Sequence, residues 1–350
     1  MAGLVPAIHA VGEAPRIAPR RSRRGVDARN KSGRDGGLTQ ARAARNRWAG
    51  RALSGLFGAL RLMEQVIANG VYLGAQYALI ALGLTLIFAL MNVLNFAHGQ
   101  MYVLGGFVTY TIYGQLHWPF VVALAASALT LAVLGGLIER FLFRTVIKRS
   151  VRDESTMLLA AGVAYFLDAV ILLLFGEKQR GVPKIVQGIF NWDELILPWD
   201  RILVAGLAVV FIAGFVLMMQ YTKTGRAMRA LAQDRVAAQL MGVPVDRYSL
   251  IGFAIGALLA GLVGGLLVSI TGVNAGIGGP ISIKAFMMVM IGGAGVVGGA
   301  IAGGFILGML ESVGLSVLHA YGDITYLVIF AGLMVFLSIR PHGLMGKPWG

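Results

Sequence analysis

The chain has 350 residues, of which 57% are hydrophobic and 13% are charged. Soluble globular domains carry about 25% charged residues, so this composition excludes an ordinary soluble domain and indicates a polytopic membrane protein. The absence of cysteine excludes disulfides, thiolate metal sites and a cysteine nucleophile. The formal net charge is +14, but residues 1–62 alone hold 13 basic and 3 acidic side chains. Because this charge is not clustered on a folded, soluble part, nucleic acid is not an expected partner.

Residues 1–62 form a basic extension ahead of the apolar sequence. Residues 1–40 are rich in Arg, Gly, Ala and Pro and lack a sustained apolar period, so they are predicted to be disordered. Residues 41–62 have the composition of a basic amphipathic helix that lies on anionic lipid. The alternative is that translation starts at Met63 and that residues 1–62 are not made.

From Met63 onward, uncharged apolar runs alternate with short polar segments. A helix needs about 20 residues, at about 1.5 Å each, to cross a hydrocarbon core of about 30 Å. The apolar runs are 69–90, 101–116, 119–138, 156–175, 202–219, 249–271, 285–310 and 324–339. The stretch 285–318 is too long for one crossing and is broken by glycines, so it forms either two passes or one pass plus a re-entrant segment. The predicted fold is all-α, with about eight or nine transmembrane helices.

Basic side chains in the loops predict the orientation of these helices. They cluster at 140–152 and 223–247 and recur near the C-terminus, which places all three regions in the cytoplasm. The loop 176–201 is then outside. Three spans precede the first basic loop, so residue 63 is predicted to be outside as well. A tail with 13 basic side chains on the outside would break the positive-inside rule, by which basic loops stay in the cytoplasm. This favours a start at Met63.

The segment "GGAGVVGG" at 292–299 contains a G-x-G-x-x-G pattern. No strand precedes it, as a dinucleotide site would require, so helix packing is the better interpretation. Small residues four positions apart share one helix face and let two backbones approach closely. That spacing occurs at Gly252/Gly256/Ala260, Gly261/Gly265, Gly299/Gly303 and Gly304/Gly308.

Several polar residues interrupt the apolar sequence. The segment "NVLNFAHGQ" at 92–100 is predicted to be an interfacial turn, with Gly99 ending a helix. Asp168 is the one carboxylate deep in a predicted span, and it either makes a structural hydrogen bond or lies on a transport pathway. Lys284 and Glu311 flank the glycine-rich stretch. They either extend to opposite faces of the membrane or form a gate.

Motifs for catalysis, metal binding and ATP binding are not found in the sequence. HExxH, GxSxG and the Walker pattern GxxxxGK[ST] do not occur, and His98 has no other ligand-type residue at a suitable spacing. The sequence therefore predicts no enzyme activity, no metal and no cofactor.

The stretch "KTGRAMRALAQDRVAAQLMGV" at 223–243 is basic and rich in alanine although it lies between two apolar segments. On a continuous helix, Ala227, Leu231, Ala238 and Met241 share a face, with Asp234 on the same side. A small helix face made mostly of alanine suits docking into a groove of another protein. The alternative is a solvated positive-inside loop.

Three segments resemble the signature regions of LivH-type branched-chain amino acid ABC transporter permeases. They are "YALIALGLTLIFALMNVLNFAHGQ" (77–100), "GRAMRALAQDRVAAQLMGV" (225–243) and "KAFMMVMIGGAGVVGGAIAGGFILGMLES" (284–312). Within the second, Ala237, Ala238 and Gly242 match the A-A-x-x-x-G part of the permease loop motif, and Val236 replaces its leading Glu. The resemblance runs from about Met63 to Pro341 and leaves residues 1–62 unmatched.

This resemblance implies a transport subunit of the bacterial inner membrane that moves leucine, isoleucine or valine. Its expected partners are a second related permease, two cytoplasmic ATPase subunits that bind the ATP, a periplasmic binding protein and the lipid bilayer. Residues 63–341 would form the permease domain and 342–350 a short cytoplasmic tail. The residues expected to carry coupling to the ATPases are Gly225, Arg229, Asp234, Ala237, Ala238 and Gly242.

Two alternatives to this function stay open at the level of sequence. Related permeases move urea, short amides or other amino acids, since the binding protein largely selects the substrate. A different class, the ion-coupled secondary carriers, uses membrane carboxylates or broken helices in two matching halves, and only Asp168 suggests this.

Overall fold

The computed structural model of the protein describes residues 63–149, 154–192, 195–317 and 322–346. Residues 1–62 lie outside this described part, and with them the predicted disorder of 1–40, the predicted amphipathic helix 41–62 and the question of a start at Met63. Residues 347–350 of the predicted tail lie outside it as well.

The described residues are mainly helical. The helices are α1 (Met63–Met91), α2 (His98–Thr109), α3 (Phe120–Ile138), α4 (Arg144–Arg149), α5 (Glu154–Phe175), α6 (Trp199–Tyr221), α7 (Lys223–Gln233), α8 (Arg235–Leu240), α9 (Val245–Leu267), α10 (Gly278–Gly292), α11 (Val297–Val317) and α12 (Gly322–Ile339). A π-helical segment, Tyr110–Gln115, continues α2, and another, Glu139–Phe143, joins α3 to α4. A short 3₁₀ turn, Ala275–Ile277, precedes α10. The strands β1 (Ile189–Trp192) and β2 (Leu195–Pro198) form a small antiparallel hairpin between α5 and α6.

Seven of the described helices are long and apolar enough to cross a membrane. They are α1, α3 with its extension through α4, α5, α6, α9, α10 with its preceding turn, and α11. Two shorter helices join this bundle: α2, which is largely buried, and α12, which is apolar from Ile324 to Ile339. The all-α membrane fold is confirmed, with seven described helices that qualify as spans by length and composition where about eight or nine were predicted.

The long stretch 285–318 is divided between two helices, as its length required. The helix α10 ends at Gly292 and α11 begins at Val297. The connecting turn uses Gly293 at φ +105° and Gly295 at φ +83°, backbone conformations that favour glycine. Each helix is long enough to cross the membrane, which favours two passes over one pass and a re-entrant segment.

Small residues bring the central helices together. In α9, a Cβ at Gly256 would lie 2.8 Å from the Gly83 carbonyl oxygen of α1. In α11, a Cβ at Gly304 would overlap the backbone of Ala78, also in α1. The four-residue glycine spacing therefore serves helix packing, as predicted. Two glycines of the G-x-G-x-x-G pattern, Gly293 and Gly295, instead form the turn between α10 and α11.

Contacts between the ends of helices define two ends of the bundle. Lys148, beyond α3, pairs with Asp246 at the start of α9, so the two basic loops meet at one end, which we call the basic end. At the opposite end, the Ser312 hydroxyl donates to the Val66 carbonyl (2.7 Å) and Arg201 contacts Asn69 (3.3 Å). The N-terminal part of α1 thus lies at the end away from the basic loops, as the count of spans predicted.

The turn predicted at 92–100 is present at 92–97, where Asn92 and Phe96 are exposed, but its other polar side chains, Asn95, His98 and Gln100, are buried and not interfacial. Asn95, Ala97 and His98 are fully buried, and Gly99 lies inside α2 and does not end a helix. The Asn95 Oδ1 accepts from the Ala97 amide (3.1 Å), and a His98 ring nitrogen lies 3.2 Å from the Ile80 carbonyl oxygen of α1. Irregular backbone at membrane depth is tolerated when protein surrounds it.

Candidate functional site

The helix α7 begins with a sharp corner at the basic end of α6. The Thr222 hydroxyl caps α7 by accepting from the Gly225 amide (2.9 Å). Gly225 packs against the Met218 and Met219 backbone at a distance that leaves no room for a side chain. The Arg229 guanidinium donates to the Met219 carbonyl. Gly225 and Arg229, two of the residues predicted to couple to the ATPases, thus shape this corner within the chain itself.

The predicted continuous helix over 225–243 is broken at Asp234. Asp234 has an extended backbone, and its Oδ1 accepts from the amides of Val236 (2.8 Å) and Ala237 (2.9 Å), so it caps the new helix α8. The proposed shared face is therefore wrong: Ala238 is buried, whereas Met241 is 87% exposed.

The short helix α8 presents apolar side chains outward. Val236, Leu240 and Met241 are exposed, Leu240 by 85%, and Ala237 is exposed beside them. We call these four residues the α8 face. The turn that ends α8 uses Gly242, whose φ of +82° favours glycine, and the Val243 amide donates to the Ala238 carbonyl (3.0 Å). Gly242 and Ala238 thus hold the shape of α8, while its other side stays uncovered.

A cavity of about 760 Å³ opens beside α7 at the basic end. Leu90 from the end of α1, Gly295 from the α10–α11 turn and His342 line it. Arg229 and Arg235 contribute its cationic lining. A wide space with both apolar and cationic walls can hold water and a small solute.

Asp168 makes the structural hydrogen bond that was one of its two predicted roles. The Gln100 Nε2 donates to Asp168 Oδ1 (3.0 Å), which joins α2 to α5. Gln100 itself is buried. A place for Asp168 on a transport pathway stays a prediction.

Lys284 and Glu311 meet inside the bundle. The Lys284 Nζ lies 3.0 Å from Glu311 Oε1, and the Tyr77 and Tyr326 hydroxyls each donate to Glu311 at 2.6 Å. The Lys284 Nζ also lies 2.9 Å from the Tyr77 hydroxyl and 3.2 Å from that of Tyr326. The prediction that the two charges extend to opposite faces is wrong, because α10 and α11 form a hairpin that brings them together. Their alternative role as a gate remains a prediction.

Comparisons with known proteins decide the family. Residues 66–338 match the family described as the permease component of branched-chain amino acid transport systems. The chain belongs to this permease family. It is 31% identical to the BraD permease of Pseudomonas aeruginosa over 81% of this chain and 96% of that protein, and 33% identical to the LivH permease of Escherichia coli K12 with the same coverage. A probable LivH permease of Methanocaldococcus jannaschii is 30% identical over 82% of this chain and 94% of its own length.

In this permease, sequence analysis missed several buried polar residues. It named Asp168 as the one deep carboxylate and did not single out Glu139 or Asp200, which are buried. Glu139 accepts two hydrogen bonds from Arg144, at 3.1 and 2.6 Å. Glu139 begins the π-helical segment and Arg144 follows its last residue, so their five-residue spacing matches the wider π-helical turn. One sequence does not reveal where such a segment lies.

The permease places its predicted site residues in three separate groups. The six coupling residues lie along α7, α8 and the turn that follows, Asp168 lies with Gln100, and Lys284 lies with Glu311. Within the described residues, no three His, Asp or Glu side chains lie close enough together to hold a metal ion.

Proposed function

We propose that this permease is the membrane-spanning subunit of an ATP-driven importer in the bacterial inner membrane and that it carries leucine, isoleucine and valine. A periplasmic binding protein delivers the amino acid, a second related permease completes the pore, and two cytoplasmic ATPase subunits supply the energy. The substrate follows from the BraD and LivH permeases, which the chain resembles over nearly their whole length and which are described as high-affinity branched-chain amino acid permeases.

The observation that carries the coupling part of the proposal is the α8 face. Leu240 and Met241 are large apolar side chains, yet both are more than four-fifths exposed. They lie at the end of α8, in the segment that connects α6 to α9 at the basic end. Large apolar side chains clustered on a polar surface mark sites where another protein binds. An apolar helical face that inserts into a groove is a recurrent mode of recognition.

The charges around α8 support the same partner. Lys223, Arg226 and Arg229 lie on α7, and Arg235 begins α8. Basic side chains that surround an apolar centre favour a groove with an acidic rim and guide its approach. ATP hydrolysis then belongs to the partner, since the chain carries no Walker pattern.

The double variant Leu240→Glu/Met241→Glu tests this proposal in proteoliposomes that hold the whole importer. Both side chains project away from the chain's own core, so the permease is expected to fold. Residues at the centre of a protein interface cost about 2 kcal/mol or more when truncated. We therefore expect ATP-driven leucine uptake to fall at least about tenfold, together with loss of the ATPase subunits on purification.

The matched control is Gln239→Glu, which adds a carboxylate to the same helix at an exposed polar position. It is expected to retain most of the uptake. If the double variant transports leucine normally, the α8 face is not the ATPase contact. Uptake that persists after ATP is depleted, while an ion gradient is maintained, would instead identify an ion-coupled carrier.

A further inference from the structure

A second cavity, of about 260 Å³, lies between α1, α2, α10 and the loop that follows α9. Its walls are mostly apolar and include Leu73 and Ile80 of α1 and Ile281 and Met288 of α10. Cavities for drug-sized ligands occupy roughly 300–1,000 Å³. This one therefore suits a single smaller molecule with an apolar part.

One wall of this cavity carries a buried polar group. Gln76 is 1% exposed, lines the cavity, and its Nε2 makes no hydrogen bond of ordinary length among the described residues, although the Tyr72 hydroxyl one turn earlier interacts with it. Buried amide donors nearly always have a partner at full hydrogen-bonding distance. A carboxylate or carbonyl oxygen of a ligand in the cavity would accept from this amide.

The charge of the lining selects among ligands. Among the residues that line the cavity, Lys284 is the one Lys, Arg, His, Asp or Glu, and it pairs with Glu311 behind it at 3.0 Å. A ligand with a net charge would add an uncompensated charge to a buried site, which is costly. A zwitterion has no net charge and still offers a carboxylate to Gln76 and Lys284.

A strap from the loop after α5 lies against one side of the cavity. The Gln179 Nε2 donates to the Thr271 carbonyl (2.6 Å), and Arg180 exchanges two backbone hydrogen bonds with Val273, at 2.8 and 2.7 Å. Gln179 and Thr271 also line the cavity. The strap therefore lies between the cavity and the end opposite the basic loops.

We infer that this cavity is an intramembrane binding site for one zwitterionic amino acid with an apolar side chain. Its carboxylate lies toward the Gln76 amide and the Lys284 ammonium group, and its side chain packs against Ile281 and Met288. This inference rests on the proposed function, because it gives the transported amino acid a place within a single permease chain.

Protection of introduced cysteines tests the site in the purified permease–ATPase complex, since the chain has no native cysteine. Ile281→Cys and Leu73→Cys place a thiol on facing walls, and Gln187→Cys places one on the exposed loop outside the cavity. With N-ethylmaleimide as the probe, saturating leucine is expected to slow labelling at positions 281 and 73 by at least about threefold, as occupancy of a site predicts. Labelling at position 187 is expected to be unchanged, and lysine and glutamate are expected to protect neither wall.

Adding Gln76→Leu to the Ile281→Cys variant removes the amide donor and is expected to abolish most of the protection by leucine. Leucine uptake by the complete cysteine-free importer is measured in parallel. If uptake is normal and leucine leaves labelling at both walls unchanged, the site is refuted and the proposed function stands. If the importer does not take up leucine at all, the proposed function fails and this inference fails with it.

Discussion

The Lys284 Nζ lies 3.0 Å from Glu311 Oε1, between two helices of one hairpin, with the two side chains 20% and 6% exposed. Two tyrosine hydroxyls complete the group by donating to the same carboxylate. Removing one partner of a buried ion pair is destabilising, because an isolated buried charge is costly. The pair therefore joins α10 to α11 and, through Tyr77, to α1.

Glu311→Gln is expected to destabilise the permease by about 3 kcal/mol, the lower end of the range for breaking a buried pair. The reason is that the neutral amide of this variant does not compensate the Lys284 charge, although the tyrosine hydroxyls still contact it. Thermal unfolding in detergent measures the effect. The double variant Lys284→Met/Glu311→Gln removes the unpaired charge and is expected to recover part of the loss.

The exposed pair Lys148–Asp246 provides the comparison, since its side chains are 58% and 48% exposed. Exposed pairs contribute about 0–1 kcal/mol, so Asp246→Asn is expected to shift unfolding only slightly. Equal effects of Glu311→Gln and Asp246→Asn would contradict the argument from burial.

Asp168 is expected to act through its hydrogen bond to Gln100 and not through its charge. An asparagine side chain keeps an oxygen that accepts from the Gln100 amide, so Asp168→Asn is expected to retain leucine uptake and thermal stability. Asp168→Leu leaves that buried amide without a partner, which costs about 1–3 kcal/mol. If Asp168→Asn abolishes uptake while the unfolding temperature is unchanged, the carboxylate charge belongs to the transport pathway.

Apolar run length was enough to predict where most of the spans lie, because the requirement to cross the membrane acts on each helix separately. The division of 285–318 followed from the same requirement, and α10 and α11 confirm it. The burial of Asn95 and His98 was missed, because Asn and His side chains suggested a polar interface. The His98 ring contacts the Ile80 carbonyl, 18 positions earlier in the sequence, and one sequence does not reveal that contact.

The polar clusters show the limit of prediction from one sequence. Lys284 and Glu311 are 27 positions apart, and their contact depends on the length of the turn between α10 and α11. The break at Asp234 was predictable in principle, since Asp is a preferred N-cap residue. It was missed because the flanking alanines favour a continuous helix.

Asp234→Ala is expected to loosen the first turn of α8. The side chain accepts two backbone amides, and loss of an N-cap costs about 1 kcal/mol. Hydrogen exchange at the Val236 and Ala237 amides is therefore expected to accelerate by about fivefold, with a smaller effect on the rest of the chain. Asp234→Asn is the control, because Asn caps helices equally well. Unchanged exchange in Asp234→Ala would show that α8 does not depend on this cap.

Gly304→Ala is expected to destabilise the contact between α11 and α1. A Cβ at this position would overlap the Ala78 backbone, which cannot move aside as a flexible side chain can. Overpacking of this kind costs about 1–3 kcal/mol, so the unfolding temperature in detergent is expected to fall.

Gly332→Ala in α12 is the matched control for Gly304→Ala, since a Cβ there has no neighbour within 4 Å. Alanine stabilises a helix relative to glycine by about 1 kcal/mol, so this variant is expected to unfold at the same temperature as the unmodified protein or higher. The opposite signs follow from one physical difference, the presence or absence of a backbone within reach of the new methyl group. If both variants destabilise the protein equally, the loss comes from the removal of a glycine and not from the close packing of α11 on α1.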